Sequence, residues 1–277
     1  MSWRVWSHGP EDAPAIFCLH GFTGSGRDFT PLVEAWHGEP LRWIAPDLPG
    51  HGDTPGDPAD SQQFAWPKVV ARLEQMVEQL FNPEQPALLL GYSMGSRLGL
   101  TLTCRLPRYF SRVMLVGASP GIREEPRRAK RRETDEELAQ MVESKGTEAF
   151  IKYWQRLPPI ATQARIAEHY RQAMTERRLS ANPQGWAAAL RGYGTGQMTP
   201  IWDRLPNIRQ PILIAVGEDD ERFIKVAQDI FFRIPLSVEA IIPEAGHAAH
   251  MENPKAMASA MQKFLRQHTP SEESAME

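Results

Sequence analysis

The sequence predicts an α/β fold, with a mostly parallel central sheet flanked by helices and interrupted by an inserted helical cap. Three observations carry that expectation. Short apolar runs alternate with helical patterns over the first 120 residues, the alternation stops near Ser119, and it resumes at Pro211. Strand then helix, repeated, builds a largely parallel sheet covered on both faces. The length of 277 residues is somewhat past the commonest domain size and long enough to bury a core without metal or disulfide help.

Ala15 to Leu19, Leu41 to Pro46, Ala87 to Gly91 and Arg112 to Val116 read as short strands buried on both sides. Between the second and third, Phe64 to Phe81 carries Val69, Val70, Leu73, Met76, Val77 and Leu80, a helical period with one buried stripe. Met94 to Leu106 forms another helix, stopped by Pro107 through its missing amide and its ring clash. From Arg123 to Glu137 the chain holds six basic and six acidic residues without a strand signal, and helical text runs on to Leu190. This segment, 119–200, reads as a cap inserted into a core made of 1–118 and 201–277; composition alone reads it equally as a solvated helical hairpin. The closing pattern is a strand at Pro211 to Val216, a helix at Phe223 to Phe232, a strand at Val238 to Ile242 and a helix at Pro254 to Arg266. The cap is expected over the carboxyl ends of the strands, where open α/β sheets keep their ligands.

Charge and composition narrow the function classes. Thirty-one Lys plus Arg against 34 Asp plus Glu give a net charge of -3, which removes a global argument for nucleic acid binding. Cys18 and Cys104 form neither a disulfide framework nor a zinc spacing. The two cysteines sit easily in a reducing compartment, and the cytoplasm is the expected one; no secretory signal and no apolar run of about 18 residues is read, so no membrane span is expected. The polar, acidic tail, His268 to Glu277, is expected to fray and to carry no chemistry.

Gly91-Tyr92-Ser93-Met94-Gly95 supplies strand, G-x-S-x-G and helix start in the order a nucleophile elbow requires. Glycines on either side of Ser93 let strand and helix approach closely while the hydroxyl stays exposed. His247 follows the last strand, where a loop can carry an imidazole back over Ser93 as general base. The acid belongs after the preceding strand, where Glu218, Asp219 and Asp220 compete and spacing does not choose. The order Ser, Asp, His is that of an α/β-hydrolase fold. His20-Gly21-Phe22 follows a strand, so the Phe22 amide can join that of Met94 in an oxyanion hole. The glycines at 21, 24 and 26 lack the ending of a phosphate loop. His20 is expected to orient this loop, and Asp47 and His51 to hold the turn they sit in. His247 and His250 have no third ligand at metal-site spacing, so no metal is expected.

On these residues the chain resembles the menaquinone-pathway enzymes that make 2-succinyl-6-hydroxy-2,4-cyclohexadiene-1-carboxylate, which are lyases on an α/β-hydrolase fold. The more specific stretches are Gly91 through Arg97, Ser119-Pro120-Gly121-Ile122, Phe150 through Trp154, Leu190 through Gln197, Gly217 through Phe223, and Gly246 through Pro254. The resemblance implies Asp220 as the acid. It implies substrate contacts from Tyr92, Arg97, Arg128, Trp154 and Arg178, with Arg177 adjacent to the last. Ser96 departs from the family's glycine, and Arg222 from its lysine.

The implied substrate is 2-succinyl-5-enolpyruvyl-6-hydroxy-3-cyclohexene-1-carboxylate, a small carboxylated anion that guanidinium groups suit. Ser93, made basic by His247 and Asp220, would remove a ring proton and pyruvate would leave. The oxyanion charge is expected on the conjugated carboxylate. No cofactor and no obligate protein partner are implied. The alternative from the same triad is a serine hydrolase, either a carboxylesterase or a carbon–carbon bond hydrolase.

Overall fold

The computed structural model describes residues 3–54, 56–57 and 59–267, so the tail from His268 lies outside the described residues. Seven strands form one sheet: β1 Val5–His8, β2 Ala15–Leu19, β3 Arg42–Pro46, β4 Ala87–Tyr92, β5 Phe110–Val116, β6 Ile212–Gly217 and β7 Ser237–Ile242. Their spatial order is β1-β3-β2-β4-β5-β6-β7. Only β1 runs antiparallel, pairing Val5 with Pro46 and His8 with Trp43; every other neighbour pair is parallel. Sequence patterning missed β1. Its four residues lie on the sheet edge with none buried, so they carry no apolar run.

In chain order the helices are α1 Thr30–Glu34, α2 Trp66–Leu80, α3 Met94–Arg105, α4 Glu125–Trp154, α5 Pro158–Ala161, α6 Glu168–Leu179, α7 Pro183–Tyr193, α8 Glu221–Phe231, α9 Ala249–Glu252 and α10 Pro254–Gln267. All six residues of β4 and of β6 are buried, as expected of strands covered on both sides. Alternate residues point to opposite faces. Phe17, Leu19, Leu89 and Ile214 pack with the α2 and α3 side chains Val69, Leu73, Leu98 and Leu102. Ile16, Cys18, Leu88, Leu90 and Leu213 pack against Leu32 of α1 and Met257, Met261 and Phe264 of α10. The α2 stripe buries Val69, Val70, Leu73 and Val77, whereas Leu80, expected in the same stripe, is exposed in the last turn.

Helices α4 to α7 lie between β5 and β6, and they have a small core of their own. Leu138, Val142 and Phe150 of α4 meet Trp186 and Leu190 of α7, and Phe22 of the core packs into the same cluster. Gly146 breaks α4 with φ 75° and ψ 172°, a conformation that glycine adopts without a Cβ penalty. The two chain segments joining these helices to the sheet are pinned together: Ile201 N–H donates to Pro120 O at 2.9 Å and Trp202 Nε1 donates to Gly121 O at 2.7 Å. Among the described residues no helix is long and apolar enough to cross a membrane.

Candidate active site

Ser93 sits between β4 and α3 with φ 50° and ψ -105°, a left-handed conformation that a non-glycine residue holds only under constraint. The constraint is visible. Ser93 N–H donates to Val116 O at 2.8 Å, and Ser96 Oγ donates to Ser93 O at 2.7 Å. Gly95 must be glycine, because a Cβ there would run into the Leu19 carbonyl. Ser96, the departure from the family glycine, is fully buried under the elbow and does not line the cavity above it.

His247 Nε2 lies 2.8 Å from Ser93 Oγ, and His247 Nδ1 lies 2.6 Å from Asp220 Oδ2. A carboxylate can only accept, so Nδ1 carries the proton and Nε2 is left to receive the serine proton. The ring rests beside Gly117, whose φ of 61° and missing side chain leave room for it; a Cβ there would come within 2.6 Å of Cε1. Of the three carboxylates that spacing left open, only Asp220 reaches the imidazole. Asp219 pairs with Arg165 on the surface, and Glu218 accepts from Glu244 N–H at 3.1 Å.

Met94 supplies the first amide of α3, one of those a helix leaves without an internal acceptor. Phe22 and Met94 both line the cavity that holds Ser93. The loop carrying Phe22 is braced by His20, whose Nε2 accepts from Leu48 N–H at 2.9 Å while Nδ1 donates to Gly21 O at 2.8 Å. Asp47 holds the neighbouring turn by accepting from Gly26 N–H at 2.7 Å and Asp53 N–H at 2.8 Å.

The cavity measures about 610 Å³. Ser93, Met94, His247 and Phe22 contribute to its floor, and Trp154, Leu157, Pro158, Pro159 and Leu190 of the inserted helices bound it from above. The lining carries five basic side chains, Arg97, Arg127, Lys130, Arg131 and Arg222. Arg97 is buried, donates to Tyr193 O at 3.3 Å, and is held 5.9 Å above the Trp66 ring. Burial first, and then Arg131, lowers its pKa to about 10. Arg131 Nε is 2.8 Å from Oδ1 of the buried Asp135.

Arg97 and Trp154 therefore stand at the cavity, but Arg128, Arg178 and Tyr92 do not line it. On α4, residues 127, 131, 134 and 138 share the inner face by helical spacing, and Arg128 is one residue off it. It donates to Ile122 O at 3.3 Å and pairs with Glu125. Arg178 is buried with both terminal nitrogens 3.1 Å from Gln163 Oε1, and desolvation lowers its pKa. Tyr92 is buried beside the same glutamine, and desolvation raises its phenol pKa. Arg177 instead pairs with Asp28 at 2.8 Å. Composition of the basic run does not single out Arg131; its helical phase, set by the buried Leu138 and Val142, does. Among the described residues no group of three or more His, Cys, Asp or Glu could hold a metal ion.

The sequence model of the alpha/beta hydrolase family matches residues 16–260. The chain is 34% identical over 265 residues to a Bacillus subtilis (strain 168) protein provisionally named 2-succinyl-6-hydroxy-2,4-cyclohexadiene-1-carboxylate synthase, covering 96% of this chain and 95% of that one. It is 29% identical over 258 residues to the Salmonella paratyphi C synthase of the same name, covering 93% and 96%. Among solved structures, MenH from S. aureus superposes with a TM-score of 0.86 at 30% identity, over 97% of this chain and 99% of that one. A malate-bound esterase from Thermogutta terrifontis shares the fold, with a TM-score of 0.74 at 23% identity over 95% of this chain and 93% of that one.

Proposed function

Because the chain belongs to the alpha/beta hydrolase family, and within it to the 2-succinyl-6-hydroxy-2,4-cyclohexadiene-1-carboxylate synthases, we propose that it eliminates pyruvate from 2-succinyl-5-enolpyruvyl-6-hydroxy-3-cyclohexene-1-carboxylate. The observation that carries this reading is the basic wall, Arg97 and Arg131, facing a serine–histidine pair inside a capped cavity.

In that reaction the proton leaves ring carbon 2, which lies α to the succinyl ketone. His247 takes the hydroxyl proton of Ser93 as Ser93 Oγ takes the ring proton, with Asp220 stabilising the imidazolium. The electron pair becomes the 2,3 double bond, the 3,4 double bond shifts to 4,5, and the bond from carbon 5 to the enolpyruvyl oxygen breaks. The enolpyruvate regains a proton and becomes pyruvate. Charge develops on the succinyl ketone oxygen rather than on the ring carboxylate, so that oxygen belongs between the amides of Phe22 and Met94. Electrons and protons balance within substrate, Ser93 and His247.

Arg97 and Arg131 bind substrate carboxylates. Each guanidinium presents a planar fork of donors that matches a carboxylate. Trp154 covers the ring. The test is a coupled assay that supplies this substrate and measures pyruvate release with diene absorbance, for the native chain and for Ser93→Ala. Both products are expected from the native chain and neither from the variant; a folded native chain that releases no pyruvate would sink the proposal.

A further inference from the structure

We propose that Glu252 is a positioning residue that holds the His247 loop at its reacting distance from Ser93 and ties that loop to the cap. This rests on the reading of His247 as the proton acceptor of Ser93. Glu252 ends α9, five residues beyond the histidine, and is buried. Its carboxylate brackets His247 on both sides: Gly246 N–H donates to Oε2 at 2.7 Å, and Ala248 N–H donates to Oε1 at 3.1 Å. The third donor comes from the inserted segment. Thr162 Oγ1, between α5 and α6, donates to Oε1 at 3.0 Å.

A carboxylate is an acceptor on both oxygens, so the three donors converging on this buried Glu occupy both of them. Glutamine, of nearly the same shape, would turn an NH₂ toward at least one N–H donor. Thr162 is also seated on the loop by shape, because a side chain on Gly246 would collide with it. The 245–246 and 247–248 peptide planes, one before and one after the backbone of His247, are thereby fixed by one side chain, and the cap segment bears on the same group. A bare structural cap would stabilise this loop without affecting the reactivity of Ser93. A positioning residue must affect both.

The test uses the full chain and two readouts. The first is the rate at which a fluorophosphonate labels Ser93, which needs the serine–histidine pair but not the natural substrate. The second is kcat and KM for pyruvate release. Glu252→Gln is expected to slow labelling and kcat about tenfold with KM within about twofold, and Thr162→Val to slow both about threefold. Thr162→Ser keeps the hydroxyl and should restore the native rates. Variants that melt at a lower temperature yet label Ser93 at the native rate would overturn the proposal. If Glu252→Gln does not fold, the Thr162 pair decides. A native chain that releases no pyruvate, while labelling still follows Glu252 and Thr162, would support the positioning role and reject only the synthase reading.

Discussion

Arg131 Nε lies 2.8 Å from Asp135 Oδ1, one turn further along α4, and Arg131 lowers the pKa of Arg97. Two guanidinium groups thus share one cavity wall with a single buried carboxylate beside them. That leaves net positive charge where a carboxylated substrate would lie, and it separates Arg131 from Arg128, whose charge is already met by Glu125 outside the cavity.

The first prediction follows from that separation. Arg131→Ala and Arg97→Ala each remove a charged hydrogen-bond donor, a loss of about 1.5–3 kcal/mol, so kcat/KM should fall about 10- to 100-fold. Arg128→Ala should stay within about threefold of the native value, since Arg128 does not line the cavity and its ion pair is with the exposed Glu125. Steady-state kinetics on the three variants, with circular dichroism to confirm folding, decides it. The opposite ranking would return the carboxylate contact to Arg128.

Backbone strain at the elbow gives a second expectation. Ser93 holds a φ of 50° for the sake of its exposed hydroxyl, at a cost of roughly 1–3 kcal/mol for a non-glycine residue. Ser93→Gly should therefore be more stable to urea than Ser93→Ala, by roughly 1 kcal/mol, while both lack activity. Equal midpoints would mean that the elbow is unstrained.

Acid sensitivity comes from buried imidazoles. His51 and His250 have pKa values lowered to about 3, by burial first and then, respectively, by His20 and by His247; Asp28 opposes the shift at His250. Neither ring nitrogen of His250 has a hydrogen-bond partner among the described residues, which suits a neutral ring. The unfolded chain protonates these groups near pH 6.5. Between about 6.5 and 3 the unfolded state binds more protons, so stability is present above pH 6.5 and falls as pH falls, by about 1.4 kcal/mol per unit for each histidine. Denaturant titrations at pH 7 and pH 5 should differ by roughly 4 kcal/mol from these two groups, and His250→Phe should remove about half of that difference. A His250→Phe variant with the native pH dependence would show that His250 is protonated in the fold.

How much of this was legible in the sequence depends on where the information is stored. The buried strands announced themselves because both faces are covered: Leu88 to Leu90 and Ile212 to Val216 read as apolar runs and are strands. The elbow was legible because Gly91 and Gly95 are demanded by local backbone approach. Edge strand β1 was not, since its pairing with β3 is set by the sheet and not by its own four residues. The choice among Glu218, Asp219 and Asp220 turns on backbone directions in one loop, which spacing does not encode. Arg178 and Tyr92 were placed at the substrate by resemblance, and the structure buries them together at Gln163. The role of Glu252 is not legible in the stretch that carries it, because its partner in the inserted segment, Thr162, lies 90 residues away.

In the proposed elimination Ser93 takes a proton rather than attacking carbon, and mass measurement of the Ser93 peptide during turnover tests this most directly. The enzyme is quenched in acid under saturating 2-succinyl-5-enolpyruvyl-6-hydroxy-3-cyclohexene-1-carboxylate, digested and weighed. The elimination mechanism predicts an unmodified peptide at every time point while pyruvate and the diene accumulate one to one. An acyl adduct on Ser93 that forms and decays at the rate of turnover would contradict it and establish a hydrolase.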